Sequence, residues 1–180
     1  GVFANSGIKQ PLIAISKVTD WKGNVLEEHD TKKIKLSGTR VLDSSVAYLI
    51  SHILLDNNAR SAAFGPSSFL VVKNHPEVSV KTGTTNDRRD NWTIGYSADA
   101  LAVVWVGNND NTPMSGAVSG VSGASPIWNK IIKATLDKAE KGAYDPAGKG
   151  HAWPTQPDGV IGTTICADTG GLPGADPVNP

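Results

Sequence analysis

The sequence predicts a mixed α/β (α+β) domain in which an antiparallel sheet is flanked by helices. Segments with strand patterns follow one another closely between residues 78 and 107, where the Asp99-Ala100 connection is too short for a parallel crossover. Two other segments carry apolar residues at helical spacing, as helices that pack on a sheet do. The chain has 180 residues, 39% of them hydrophobic, which suffices for one domain with a core.

The chain opens as if in the middle of a domain. Residues 1–7 resemble the last turn of a helix that closes on an Asn/Gly pair, yet no N-cap residue precedes them. A natural domain seldom begins at such a point. We therefore expect the chain to be an N-terminally truncated piece of a larger domain.

The first half of the chain predicts a hairpin followed by an amphipathic helix. Pro11–Thr19 alternates as a strand, and the Gly-Asn signal in Trp21–Asn24 turns it back on itself. Asp43 is a good N-cap for a helix over Ser44–Asn57, in which apolar residues recur at helical spacing. Residues 58–76 contain several breakers and are predicted to be a loop.

The second half predicts the central strands and a second helix. The strands cover Val78–Thr84, Trp92–Tyr96 and Leu101–Gly107. The last of these is apolar almost throughout, so we expect it to be buried on both faces. Ser125 and Pro126, as N-cap and first helical residue, open a second helix with its own apolar stripe.

Composition excludes several classes of function. Lys plus Arg equal Asp plus Glu at 17 each, which gives no broad basic face for nucleic acid. The single cysteine, Cys166, allows no internal disulfide, and the four histidines lack the spacing of a zinc site. We expect no metal and no cofactor. No apolar run reaches the roughly 18 residues of a membrane span, so any membrane anchor is expected upstream of this chain.

The most informative stretch is Lys81–Gly83, at the end of an alternating strand. Lys-Thr-Gly is the third signature of serine β-lactamases and penicillin-binding proteins. The ammonium supplies positive charge near an anionic substrate or a proton relay, and the threonine hydroxyl can hold a carboxylate. Glycine lets a ligand backbone lie against the strand. Because neighbouring strand residues face opposite sides, the three reach one cleft only through strand twist or at a sheet edge.

A longer pattern surrounds this tripeptide. The segments Val80–Asp87, Asp90–Tyr96 and Val103–Asp110 closely resemble, in this order, the transpeptidase domain of class A (bifunctional) penicillin-binding proteins. The resemblance extends back through Phe3–Ile8 and Val41–Asp43, and forwards through Gly123–Trp128 to about Cys166. We therefore interpret residues 1–165 as the C-terminal portion of such a domain, with the fold of serine β-lactamases and these transpeptidases. Residues 166–180 are interpreted as a Pro/Gly-rich tail or linker.

The resemblance implies a serine-type D-Ala-D-Ala transpeptidase that cross-links peptidoglycan stem peptides. A serine is acylated by one peptide, an amine of a second peptide attacks the acyl-enzyme, and β-lactams acylate the same serine. Such a protein acts at the extracytoplasmic face of the bacterial cell membrane. By the same resemblance, Lys81, Thr82 and Gly83 form the catalytic motif, and Thr82, Thr84 and Thr85 bind substrate. The Thr84 backbone N–H is one oxyanion donor.

The family's nucleophile is the point at which this chain departs from the pattern. In the family, Ser-x-x-Lys and Ser-x-Asn both precede the Phe-Ala-Asn segment that opens this chain. No Ser-x-Asn occurs here, and the Ser-x-x-Lys match, Ser6–Lys9, falls on the family's helix-exit turn, where Gly7 weakens a helical register. We expect the nucleophile in the missing N-terminal part of the domain, which becomes a partner, and the isolated chain to be inactive.

Two other functions fit the same residues. A relative that hands its acyl group to water would be a D,D-carboxypeptidase or a β-lactamase. A non-catalytic sensor module would keep the pocket to bind muropeptides or β-lactams. The upstream sequence distinguishes these alternatives, because a sensor tolerates loss of the reactive lysine and a transpeptidase does not.

Overall fold

The computed structural model describes residues 1–29, 38–115, 121–139 and 153–172. Residues 173–180 of the predicted tail lie outside them. Within the described ranges the chain forms seven strands and three α-helices. These are β1 (Ile8–Lys9), β2 (Lys17–Thr19), β3 (Val25–Glu28), β4 (Thr39–Arg40), α1 (Ser44–Leu55), α2 (Asn57–Phe64), β5 (Ser79–Thr84), β6 (Asp90–Tyr96), β7 (Leu101–Gly107) and α3 (Ala124–Ala139).

The central sheet is an antiparallel meander in the order β5-β6-β7, which confirms the predicted strands. β7 differs from its prediction in burial. Val104 is 9% exposed, whereas Leu101, Val103 and Trp105 keep 46%, 48% and 42% exposure. Helix α3 covers the face that carries Val104, and the part of the chain described here leaves the other face of β7 open to solvent.

The core lies between this sheet and α3. Trp128 is fully buried against the sheet, and its indole Nε1 donates to the Ala102 carbonyl at 3.2 Å. A Cβ added to Gly95 would lie 2.2 Å from Cζ2 of Trp128, so glycine is what lets the ring approach the strand. The rest of the core is aliphatic and comes from the strands, α3 and the segment before β5: Leu70, Val72, Val78, Val80, Val104, Ala124, Ile132 and Leu136.

Helix α1 packs on the opposite face at the start of β5. As predicted, Asp43 caps it and accepts from the Ser45 N–H at 2.7 Å, a bond that lowers the Asp43 pKa. The Ser79 hydroxyl donates to the Ser51 carbonyl at 2.7 Å, and the Ser51 hydroxyl lies 3.1 Å from the Tyr96 hydroxyl. Burial raises the Tyr96 pKa, which keeps this contact neutral.

Three predicted boundaries were wrong. The Pro11–Thr19 strand shortens to β2, because within the described ranges only residues 17–19 of this segment pair with another strand, β3. The predicted loop over 58–76 contains most of α2, which lacks an apolar stripe and depends on a local cap, the Asp56 carboxylate bound to the Ala59 N–H. Helix α3 begins one residue before Ser125. In the described part of the chain, no helix has the length and apolarity to cross a membrane.

A partly buried polar cluster ties the entry of β5 to the end of α3. His75 Nδ1 lies 2.9 Å from Glu77 Oε1, and its Nε2 lies 3.0 Å from Asp137 Oδ1. Lys133 also binds Asp137, and the hydrogen bonds from Lys133 and then from His75 lower the Asp137 pKa. Glu77 is only 5% exposed, and its Oε2 has no hydrogen-bond partner within the described ranges. The Glu77 carboxylate therefore depends on the imidazole for compensation.

Replacing His75 with leucine should lower the free energy of unfolding by about 2–3 kcal/mol, because it strands a buried carboxylate. Urea titration of the chain followed by circular dichroism measures this loss. His29→Leu is the matched control: His29 also contacts a glutamate two residues away, Glu27, but both side chains are about half exposed. That variant should change stability by less than about 0.5 kcal/mol. Equal effects for the two histidines would contradict the argument from burial.

Candidate active site

Strand β5 is an edge strand, and its hydrogen-bond alternation places specific main-chain groups on the open side. Thr84 pairs with Asn91, and the next N–H, that of Thr85, donates to the Asp90 carbonyl at 3.0 Å. Pairs in an antiparallel ladder alternate between bonded and non-bonded. The main-chain groups of Thr84, and by the same alternation those of Thr82, therefore point away from β6. The Thr84 N–H therefore lies on the open side of the strand, outside the β5–β6 ladder.

The Lys81 ammonium reaches this same edge although its side chain starts on the other face from Thr82. Lys81 is exposed, and its Nζ donates to the Thr82 carbonyl at 2.6 Å. No carboxylate in the described ranges forms an ion pair with it. The edge position thus brings together a cation and outward main-chain groups that strand alternation alone would separate.

Gly83 completes the motif without a side chain. A Cβ placed there would lie 3.8 Å from the Cβ of Trp92, an ordinary contact. The fold therefore does not demand glycine at this position. The absence of a Cβ leaves room for a ligand backbone on the face shared with Lys81.

Thr82 lines a cavity of about 290 Å³ between β5 and the two N-terminal helices. Its side chain is 9% exposed. The walls are mostly aliphatic, and two charged residues, Asp56 and Arg60, stand at the α1–α2 corner. Burial lowers the Arg60 pKa, and the negative charge of Asp56 acts in the opposite direction. The cavity can accept an apolar group beside the motif.

Thr84 and Thr85 differ in what their hydroxyls do. The exposed Thr84 Oγ1 accepts from Asn91 Nδ2 at 3.0 Å. The Thr85 hydroxyl donates to Asp90 Oδ2 at 3.1 Å and accepts from the Asp90 N–H at 2.9 Å. Asp90 also accepts from the Trp105 indole at 2.9 Å. Thr85 therefore fastens the strand end, and a substrate would have to compete with Asp90 for its hydroxyl.

The turn after β5 is held in an unusual conformation. Asp87 and Arg88 have φ values of 59° and 55°, in the left-handed region that non-glycine residues seldom adopt. The Arg88 carbonyl accepts from the Met114 N–H at 3.0 Å, and the Arg89 guanidinium binds the carbonyl of Asn111. The loop after β7 thus supports the turn beside the candidate site, and such strain is often found at functional sites.

The Ser6–Lys9 match does not form a helical pair. Ser6 and Gly7 have φ values of 50° and 93°, and Lys9 lies in β1, so the serine and lysine do not share a helix face. The β1–β4 sheet is separate from the sheet that carries Lys81. In the described part of the chain, no group of three or more His, Cys, Asp or Glu residues is arranged to hold a metal ion.

Asn91 is a site residue that the sequence did not reveal. It is fully buried, pairs with Thr84 across the sheet, and accepts from the Ala124 N–H at 2.6 Å. The available signal was a lone amide in the alternating β6 pattern, on the face that α3 covers.

Sequence comparisons identify relatives along most of this chain. It is 31% identical over 132 residues to penicillin-binding protein 1B of Vibrio cholerae, which covers 73% of the chain and 16% of that protein. It is 30% identical over 171 residues to penicillin-binding protein 1A of Clostridium tetani, which covers 92% of the chain and 20% of the relative. The chain thus spans about a fifth or less of these relatives' length. No family model matches it.

Solved structures share the fold. Penicillin-binding protein 1A of Haemophilus influenzae matches 95% of the chain and 29% of its own, with a TM-score of 0.69 at 23% identity. PonA1 of Mycobacterium tuberculosis in complex with penicillin V matches 80% of the chain and 38% of its own, with a TM-score of 0.52 at 21% identity. At these identities the likeness establishes the fold class and confirms the predicted transpeptidase-like architecture.

Proposed function

Because this chain belongs, over most of its own length, to the class A penicillin-binding proteins, we propose that it forms part of a peptidoglycan D-Ala-D-Ala transpeptidase. The observation that carries the proposal is the open edge of β5. There the Lys81 ammonium, the Thr82 carbonyl and the outward Thr84 N–H meet beside a cavity that Thr82 lines.

Each group on this edge has a chemical task in acyl transfer. The Thr84 N–H donates to the oxyanion that develops as the serine attacks the carbonyl carbon. The Lys81 ammonium provides positive charge toward the substrate carboxylate and the proton relay. The hydroxyls of Thr82 and Thr84 hold the carboxylate of the stem peptide or of a β-lactam, with Thr85 as a further candidate. Gly83 lets the peptide lie flat against the strand.

The nucleophilic serine and its lysine come from the preceding part of the same domain. The basis is the sequence, which has no Ser-x-Asn and whose Ser6–Lys9 match is not helical. The chain alone is therefore inactive, and its partners are the preceding segment, stem peptides and β-lactams. The intact protein works at the extracytoplasmic membrane face and is anchored upstream of this chain.

Mass spectrometry after incubation with excess benzylpenicillin tests the proposal. The chain is treated alone, and also mixed with the segment that precedes it in the longer protein. We expect no covalent adduct on the chain alone, and one penicilloyl adduct on the preceding segment in the mixture. The physical reason is that the acyl bond needs a serine beside a lysine on one helical turn, which this chain lacks.

A Ser6→Ala variant serves as the control for a local nucleophile. A stoichiometric adduct on the chain alone that disappears in Ser6→Ala would show that Ser6 reacts, and the split-site proposal would be wrong. If the mixture acylates, a second incubation separates the candidate functions: the donor is a D-Ala-D-Ala peptide, which releases D-Ala on acylation, and an amine is added as acceptor. Transfer to the amine indicates a transpeptidase, transfer to water a carboxypeptidase or β-lactamase, and a permanent adduct a sensor.

A further inference from the structure

Asn91 joins the candidate site to the N-terminus of α3. It lies opposite Thr84 on β6, and its side chain is fully buried. Its Oδ1 accepts from the Ala124 N–H at 2.6 Å, and its Nδ2 donates to Thr84 Oγ1 at 3.0 Å. One amide therefore spans the distance between the first residue of the helix and the strand edge.

The direction of these hydrogen bonds follows from their chemistry. A backbone N–H can only donate, so the amide of Asn91 must turn its oxygen toward Ala124. Its NH₂ group must then face Thr84, which makes Thr84 Oγ1 the acceptor in that bond. The hydroxyl hydrogen of Thr84 points elsewhere, and the described chain offers it no acceptor. Thr84 is exposed, so this hydrogen is available on the open edge.

We propose that Asn91 is a positioning residue that fixes Thr84 as a hydrogen-bond donor to the carboxylate of the ligand. This inference rests on the proposed function, because it assumes that a carboxylate binds at the edge of β5. A donor aimed in advance at an anion makes a charge-assisted hydrogen bond with little reorganisation. Without the Asn91 amide the hydroxyl would rotate freely or turn inward.

Thr85 shows what the opposite arrangement looks like in the same strand. The partner of Thr85 is a carboxylate, that of Asp90, so the Thr85 hydroxyl donates inward at 3.1 Å. Its hydrogen is then not available to a ligand. The partner decides the direction: an amide NH₂ leaves the threonine hydrogen free, and a carboxylate captures it. If Asn91 is replaced with aspartate, the Thr84 hydroxyl should therefore donate inward to the new carboxylate, as the Thr85 hydroxyl donates to Asp90.

The test uses Asn91→Asp in the longer protein that carries this chain together with its nucleophile. Aspartate has nearly the same size and still accepts from the Ala124 N–H, but its second oxygen takes the Thr84 hydroxyl hydrogen. The probes are benzylpenicillin and its methyl ester, and the readout is the ratio of their acylation rate constants. We expect this ratio to fall about tenfold or more, because one charge-assisted hydrogen bond to the free acid is lost.

Matched variants separate positioning from a general structural effect. Thr84→Val should lower the ratio as much as Asn91→Asp, and the double variant should lower it no further, since both remove the same donor. Thr84→Ser keeps the hydroxyl and should retain the ratio. If Asn91→Asp does not fold, Asn91→Ala is the second variant, because it removes the amide that orients the Thr84 hydroxyl. It should also lower the ratio.

The outcomes distinguish this inference from the proposed function. A ratio that falls in Thr84→Val but is unchanged in Asn91→Asp and in Asn91→Ala overturns the positioning role and leaves the function standing. A ratio unchanged in every variant overturns the carboxylate site itself. A wild-type protein that neither probe acylates overturns the proposed function, and the inference with it.

Discussion

Replacing Lys81 with methionine is expected to lower the rate constant for acylation by benzylpenicillin by about 100-fold or more, the effect of losing one preorganised electrostatic group. Methionine keeps most of the apolar stem of lysine and removes the charge together with the hydrogen bond from Nζ to the Thr82 carbonyl. The side chain is exposed and forms no ion pair within the described ranges, so the fold should not change. Stopped-flow kinetics on the longer protein that includes the nucleophile measures the rate, and thermal unfolding checks the fold.

Lys9→Met is the matched control for this charge. Lys9 is also exposed and lies in a different sheet. It is the lysine of the Ser-x-x-Lys match, Ser6–Lys9. We expect its removal to leave acylation within about twofold. If Lys9→Met abolished acylation and Lys81→Met did not, Ser6–Lys9 would be the reactive pair and the assignment of the β5 edge would fail. Lys81→Arg should recover part of the rate, because it restores charge without the shape of an ammonium.

Replacing Trp128 with alanine is expected to lower the free energy of unfolding by about 3–5 kcal/mol, the largest stability effect we predict for this chain. The indole is completely buried between α3 and the sheet, and its Nε1 donates to the Ala102 carbonyl. Alanine would leave a cavity beneath Gly95 and remove the indole hydrogen bond to the Ala102 carbonyl. Urea unfolding of the chain, followed by circular dichroism, measures the loss.

Two further variants make this result specific to packing. Ile127→Ala, on the same helix but 48% exposed, should cost less than about 1 kcal/mol. Gly95→Ala should destabilise the wild type, because its Cβ would meet the indole at 2.2 Å, but should be better tolerated in Trp128→Ala. If Gly95→Ala cost the same in both backgrounds, the close approach of ring and strand would not be what glycine provides.

The elements that the sequence predicted well depend on nearby residues. Helix α1 follows from the cap at Asp43 and from helical spacing of apolar residues, and the structure contains both the cap and the helix. The predicted apolar stripe is not the buried face: the helix buries Ala47 and Ser51, whereas Val46, Leu49 and Ile53 are exposed. The three central strands followed from alternation and short connections. The short helix α2 was missed because it has no stripe, and the single cap at Asp56 does not stand out in a polar segment. The Pro11–Thr19 strand was overestimated because alternation says nothing about whether a partner strand is present.

The candidate site divides in the same way. The sequence by itself determined the chemistry: a lysine, hydroxyls and a glycine in consecutive strand positions, Lys81–Thr85, with a family resemblance around them. Only the tertiary structure decided that β5 is an edge strand, that Lys81 reaches the edge, and that Asn91 holds both Thr84 and a helix start 33 residues away. The physical reason is the sequence separation over which each interaction acts. Periodicity and caps act within a few residues, whereas a strand's outward groups and a buried amide's partners depend on the segments that fold against them.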